Sequence, residues 1–132
     1  MLEVSAGIVI KNGKILCMQR GQSKHDYLTH KYEFPGGKLE KGETALDSLI
    51  REFEEELGAD LSVSRIEPFG DLTYSYPDFT VKINFFKIFD DNFQFEMKEH
   101  AGYVWSEPKD LKKLDWAAAD LLILDKLREH YE

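Results

Sequence analysis

Two rhythms of apolar and polar residues run along this chain. Val4 to Ile10 is rich in Val and Ile, breaks at Asn12-Gly13 and resumes over Lys14 to Gln19, which predicts an N-terminal hairpin on the best two-residue turn signal available. Lys31 to Phe34 predicts a short strand before a turn at Pro35-Gly36-Gly37. Further strands are expected over Asp71 to Tyr76 and Thr80 to Phe89, joined at the turn dipeptide Pro77-Asp78. Asp90-Asp91-Asn92 marks another turn, and Gly102 to Trp105 another strand. The second rhythm has three- and four-residue spacing. Leu46, Leu49, Ile50, Phe53 and Leu57 follow it, which predicts one buried stripe of an amphipathic helix. Thr44 with Asp47 three residues on is a capping-box pattern that starts this helix, and Gly58 is a natural C-cap. A closing helix is expected from Ala117 to His130, with apolar residues at Leu121, Leu124 and Leu127, after a short helical turn opened by Pro108. Residues 21 to 30 are polar and irregular. Strands interspersed with two principal helices predict an α/β fold, a sheet flanked by helices.

Composition narrows the picture. A chain of 132 residues is most simply one domain, residues 1–132, long enough to bury a sizeable core. With 42% hydrophobic and 32% charged residues it fits a soluble globular protein, not a disordered one. Its apolar runs, such as Leu121 to Leu124, are too short to span a bilayer, so no membrane partner is expected. Met1-Leu2-Glu3 has no basic segment of a secretory signal, and the lone Cys17 in an apolar strand pattern is expected to be a reduced core thiol. Both point to the cytoplasm. The formal charge of −8 argues against duplex nucleic acid as a partner. A polyphosphate substrate would have to arrive with cations. Nothing in the pattern specifies an oligomeric state.

The chemistry concentrates on the first helix. Glu52, Glu54, Glu55 and Glu56 crowd the turns just before Gly58, where the helix dipole disfavours negative charge and Glu52 repels Glu56 at i,i+4. At about 100° per residue, Glu52, Glu55 and Glu56 fall within an arc beside the apolar stripe, and Glu54 points elsewhere. A solvated acidic face is the ordinary outcome of such a run. The other outcome is a hard divalent cation, Mg²⁺ (or Mn²⁺), bound with phosphate oxygens of a substrate.

The segment from Gly37 to Ala59 resembles the Nudix hydrolase signature. Gly37, Glu43, Arg51, Glu52, Phe53, Glu55, Glu56, Gly58 and Ala59 fill its fixed positions, with Ala59 the one soft match. The run Glu33-Phe34-Pro35-Gly36-Gly37-Lys38 looks most like the MutT branch and its relatives that hydrolyse cytidine triphosphates. The resemblance implies a Nudix α/β/α sandwich with a mixed sheet. It implies that the Gly36 carbonyl and the carboxylates of Glu52, Glu55 and Glu56 hold divalent ions, that Arg51 orients a glutamate, and that Glu43 braces the loop. It further implies a catalytic or metal-binding role for Glu99, beside His100, and a base-reading role for Asp120, whose ionised form would favour an exocyclic amino group as on cytosine. Arg20 could reach a phosphate, and Phe34 and Tyr76 could line a base pocket, although aromatics at strand positions are more often core. The activity expected is attack of water on a nucleoside triphosphate, releasing the monophosphate and pyrophosphate, with Glu52 and then Glu99 as candidate general bases. Oxidised or modified nucleotides and cytidine triphosphates are the expected substrates. Another nucleoside diphosphate-linked compound and a non-catalytic nucleotide sensor are the alternatives.

Overall fold

The computed structural model describes residues 1–131, with side chains described as far as Leu127. At its centre lies β1 (Leu2–Lys11), which pairs in parallel with β6 (Thr80–Phe89) from Leu2↔Val81 to Ile10↔Phe89. The other ladders are antiparallel, so the sheet is mixed. The chain turns at Asn12 and Gly13, both at positive φ (51° and 78°), into β2 (Lys14–Gln19), as the Asn-Gly dipeptide requires. Strand β2 carries β3 (Tyr32–Glu33) and β7 (Gly102–Ser106), β1 also carries β4 (Gly36–Lys38), and β5 (Arg65–Ser75) forms the outer edge beside β6.

Alternation along β1 divides the core. Ala6, Ile8 and Ile10 face one apolar cluster with Ile123, Leu124 and Leu127 of α2 (Ala118–Tyr131). Val9 faces the other, with Leu49, Phe53 and Leu57 of α1 (Ala45–Leu57). Gly7 lies on the α1 side, and a Cβ there would meet the Phe53 ring at 2.5 Å, so the missing side chain lets the helix seat closely on the sheet. Helices therefore cover both faces. Among the described residues, no helix is long and apolar enough to cross a membrane. Cys17 is buried as a free thiol, its pKa pushed up to about 12 by burial.

Four expectations need correction. The stripe of α1 is narrower than its spacing suggests: Leu49, Phe53 and Leu57 are buried, while Leu46 and Ile50 are each 40% exposed on its flanks. On α2 the buried positions include Ile123 rather than Leu121, which is 43% exposed. The Pro35-Gly36-Gly37 segment is not only a turn, because Gly36 and Gly37 enter β4 against β1. A Cβ at Gly36 would overlap the Ser5 carbonyl and sit 2.8 Å from the Ala6 Cα, so glycine is what permits this pairing. Strand β5 also begins earlier than its apolar pattern, at Arg65 rather than Asp71. As an edge strand with a bulge between Pro68 and Gly70 it carries little apolar signal there.

Candidate active site

The capping box starts α1 as the sequence requires, with Asp47 N donating to Thr44 Oγ1 at 3.1 Å and Thr44 N to Asp47 Oδ2 at 3.2 Å. Gly58 closes the helix in the left-handed conformation, φ 57°. Between these ends Arg51 fastens the preceding loop. Its Nε and Nη2 donate to the two Glu43 oxygens at 2.7 and 2.9 Å, and Nη2 also reaches the Lys38 carbonyl at 2.9 Å. Its Nη1 donates to Glu52 Oε1 and Glu55 Oε2, both at 2.9 Å. Glu43 in turn accepts from the Glu40 amide at 2.7 Å. These bonds, led by those from Arg51, hold the Glu43 carboxyl down at about 2, so it is ionised at any ordinary pH. Loop, Arg51 and helix form one charge-assisted clamp.

The carboxylates divide. Glu52 lies against Gly37, where a Cβ would sit 2.7 Å from Glu52 Oε1 and closer still to the rest of the carboxyl group. Burial raises the Glu52 pKa against the pull of Arg51. Glu56 rises further, to about 7, chiefly through burial, then through its hydrogen bond with Glu99 and repulsion from Glu99 and Glu52, with His100 opposing. Glu52, Glu56 and Glu99, with Gly36 and Gly37, line one end of a cavity of about 910 Å³. Glu55 does not line it; its side chain is 58% exposed beside Arg51.

At the other end of this cavity are Phe34, Tyr76 and Asp120. Phe34 is buried and packs on Trp116, ring centroids 4.8 Å apart. Asp120 Oδ2 accepts from the Phe34 amide at 2.8 Å, and the Tyr76 hydroxyl accepts from the Ala119 amide at 3.0 Å. Both bonds gather at the first turn of α2. Burial, then the nearby Glu33 charge, pushes Asp120 up to about 8, against the Phe34 amide and Arg20. Burial thus favours the protonated form, which can donate as well as accept. The acceptor-only reading applies to the ionised form, which burial disfavours. Arg20 lines the cavity but donates to Glu33 Oε1 at 2.8 Å, so a carboxylate already holds it.

Among the described residues, no group of three His, Cys, Asp or Glu side chains is gathered closely enough to hold a metal ion. Arg51 draws Glu52 and Glu55 toward itself, and Glu56 meets Glu99. The donor chemistry nevertheless suits a hard cation, since every donor is an oxygen and two carboxyl groups in mutual contact are what added positive charge would relieve.

A NUDIX domain model matches residues 1–128. The chain belongs to the Nudix family. It is 32% identical over 126 residues to the CTP pyrophosphohydrolase of Escherichia coli K12, covering 95% of this chain and 90% of that protein. To the 8-oxo-dGTP diphosphatase of Buchnera aphidicola subsp. Schizaphis graminum it is 32% identical over 123 residues, covering 93% and 90%. The solution structure of the E. coli ORF135 protein superposes with a TM-score of 0.77 at 29% identity, covering 95% of this chain and 86% of that one. Nudix hydrolases generally use divalent metals.

Several lining residues of this Nudix domain carry no advance signal. The strap of residues 21–30 brings Leu28 and His25 to the cavity, where His25 Nδ1 meets Asp78 Oδ2 at 2.7 Å and Tyr27 stacks on Tyr76 at 5.3 Å. That segment shows neither strand nor helix rhythm, and its partners lie on the β5–β6 turn. Glu33 was visible only as a letter in the run before Gly36. Its place between Arg20 and His100 depends on which strands flank β2.

Proposed function

We propose that residues 1–132 act as one Nudix unit that hydrolyses nucleoside triphosphates to the monophosphate and pyrophosphate. The observation that carries this reading is the division of one cavity into a carboxylate end and an aromatic, hydrogen-bonding end. Its volume of about 910 Å³ lies within the range that takes a small-molecule ligand. A base against Phe34 and Tyr76, with Asp120 at its edge, would direct the phosphates toward Glu52, Glu56 and Glu99. The names of the relatives, a CTP pyrophosphohydrolase and 8-oxo-dGTP diphosphatases, support cytidine or oxidised-purine triphosphates as the substrate class.

The Gly36 carbonyl, Glu52 and Glu56 would hold a divalent ion, Mg²⁺ or Mn²⁺, and Glu55 would join them only by turning into the cavity it does not now line. Such an ion supplies charge neutralisation of the polyphosphate and a lowered pKa for attacking water. Glu52 is the proposed general base, with Glu99 next: burial lifts Glu52 toward the working pH, and Arg51 fixes its orientation. Water oxygen bonds to phosphorus, the bridging P–O bond breaks, pyrophosphate leaves, and the water's proton passes to the carboxylate. The test is a panel of CTP, dCTP, 8-oxo-dGTP and unmodified dGTP, with pyrophosphate release measured with Mg²⁺ and with EDTA. Metal-dependent release from CTP or 8-oxo-dGTP above that from dGTP is expected. Binding of the same nucleotides without release would leave the domain a sensor.

A further inference from the structure

The loop from Asp90 to Ala101 has no regular structure, yet it delivers Glu99 to the cavity. Its backbone is anchored where Glu96 N donates to Leu57 O at 2.7 Å and where Ala101 N donates to Gln19 O at 2.8 Å. Between those anchors, Glu99 meets Glu56 and His100 meets Glu33. Two carboxyl groups repel once both are ionised, so the tether that needs no shared proton is the one from His100. Its Nε2 stands 3.3 Å from Glu33 Oε2, and its side chain is only 10% exposed. The bond spans the end of β2, because β3 pairs with that strand on one side (Gln19↔Tyr32) and β7 on the other (Gln19↔Gly102). Glu33 is held from its second oxygen by Arg20 at 2.8 Å. His100 Nδ1 is buried with no hydrogen-bond partner among the described residues. A buried polar atom left bare is unfavourable, and an apolar residue would fill this place without that cost.

We propose that His100 is a positioning residue whose hydrogen bond to Glu33 fastens the Asp90–Ala101 loop, so that Glu99 faces Glu56 at the carboxylate end of the cavity. The bond also ties the Arg20–Glu33 pair, which lines the same cavity, to the loop that carries Glu99. This rests on the reading above, that Glu99 serves the hydrolysis.

The test compares His100→Leu, His100→Gln, Glu99→Gln and the double variant Glu99→Gln/His100→Leu, with CTP and 8-oxo-dGTP as probes and Mg²⁺ present. His100→Leu is expected to lower kcat about 10- to 50-fold with KM changed less than about threefold, the range for supports of a functional group. Glutamine keeps a donor at similar reach, so His100→Gln should return kcat to within about threefold of the parent. In the Glu99→Gln background, His100→Leu should cost nothing further, since it acts through Glu99. Unchanged kcat in His100→Leu, equal losses in the Leu and Gln variants, or multiplying losses in the double variant would each overturn the proposal. Full turnover in Glu99→Gln alone would instead remove the assigned role of Glu99. If circular dichroism shows that His100→Leu does not fold, Glu33→Leu breaks the same bond from its other side and must show the same kcat loss, silent in the Glu99→Gln background.

Discussion

At the carboxylate end of the cavity, Glu52 and Glu56 come from little more than one turn of a single helix, and Arg51 of the same helix clamps the loop that immediately precedes it. At the base end, Phe34 follows β3, Tyr76 lies in the β5–β6 turn and Asp120 is in α2, and the bonds that gather them join residues 86 and 43 positions apart. The first end is a local construction: once α1 forms, its periodicity and one arginine arrange most of the groups. The second exists only after β3, β5 and α2 have found their places around β1. Substitutions should therefore act sharply and on turnover at the first end, and more mildly and on selectivity at the second.

The largest effect is expected from Glu56→Gln. It removes a partly buried carboxylate that lines the cavity and meets Glu99, and should lower kcat by about 10²–10⁴-fold without unfolding the chain. Steady-state pyrophosphate release and a thermal melt of the same preparation check both halves of the statement. Turnover within tenfold of the parent would mean that the chemistry lies elsewhere.

Arg51→Lys should come next. A lysine keeps the charge but cannot reproduce the fork that reaches Glu43, Glu52, Glu55 and Lys38 at once. A loss of about 10- to 100-fold in kcat/KM is expected, the range for residues that orient others. Loss of the clamp should also expose the loop around Lys41 to trypsin, which limited proteolysis reads directly.

Asp120→Asn tests the far end. Neutral at all pH, asparagine should shift the ratio of kcat/KM between CTP and 8-oxo-dGTP by about 5- to 100-fold while the better substrate keeps most of its kcat. It carries a stability signature too. The Asp120 carboxyl rises from 3.8 to about 8 on folding, so the native state holds a proton that the unfolded chain has released. That contribution is complete below about pH 4 and is lost as pH climbs toward 8, at most ~1.4 kcal/mol per pH unit. Urea midpoints at pH 5 and pH 8 should therefore fall more for the parent than for Asp120→Asn.

The contrast between the ends also explains what was legible. Helix α1 was readable to its caps because Thr44, Asp47 and Gly58 act within a turn of where they stand. The hairpin at Asn12-Gly13 and the strands β6 and β7 were readable for the same reason, as short-range patterns. The exposure of Leu46 and Ile50 was not, because periodicity states which residues share a face but not how wide a strip the sheet covers. Gly36 reads as a turn residue until β1 is seen to run against it. The upward shift of the Asp120 pKa was unreadable in principle, since it comes from burial among residues distant in the chain.

Glu55→Gln separates pattern from placement most cleanly. The signature treats Glu55 like its neighbours, and a helical wheel puts it on the same arc as Glu52 and Glu56. In the folded chain it stands outside the cavity, with its Oε2 on Arg51 at 2.9 Å and its side chain 58% exposed. Arg51 retains Glu43, Glu52 and Lys38 without it. An exposed i,i+4 ion pair contributes only ~0.3–0.5 kcal/mol, so stability should barely change. The expected loss in kcat is about 3- to 30-fold, far below that of Glu56→Gln. A loss as large as that of Glu56→Gln would mean that Glu55 leaves Arg51 during turnover and enters the cavity. A titration of activity against Mn²⁺ concentration would then show a higher half-maximal Mn²⁺ concentration in Glu55→Gln, which the arrangement around Arg51 does not predict.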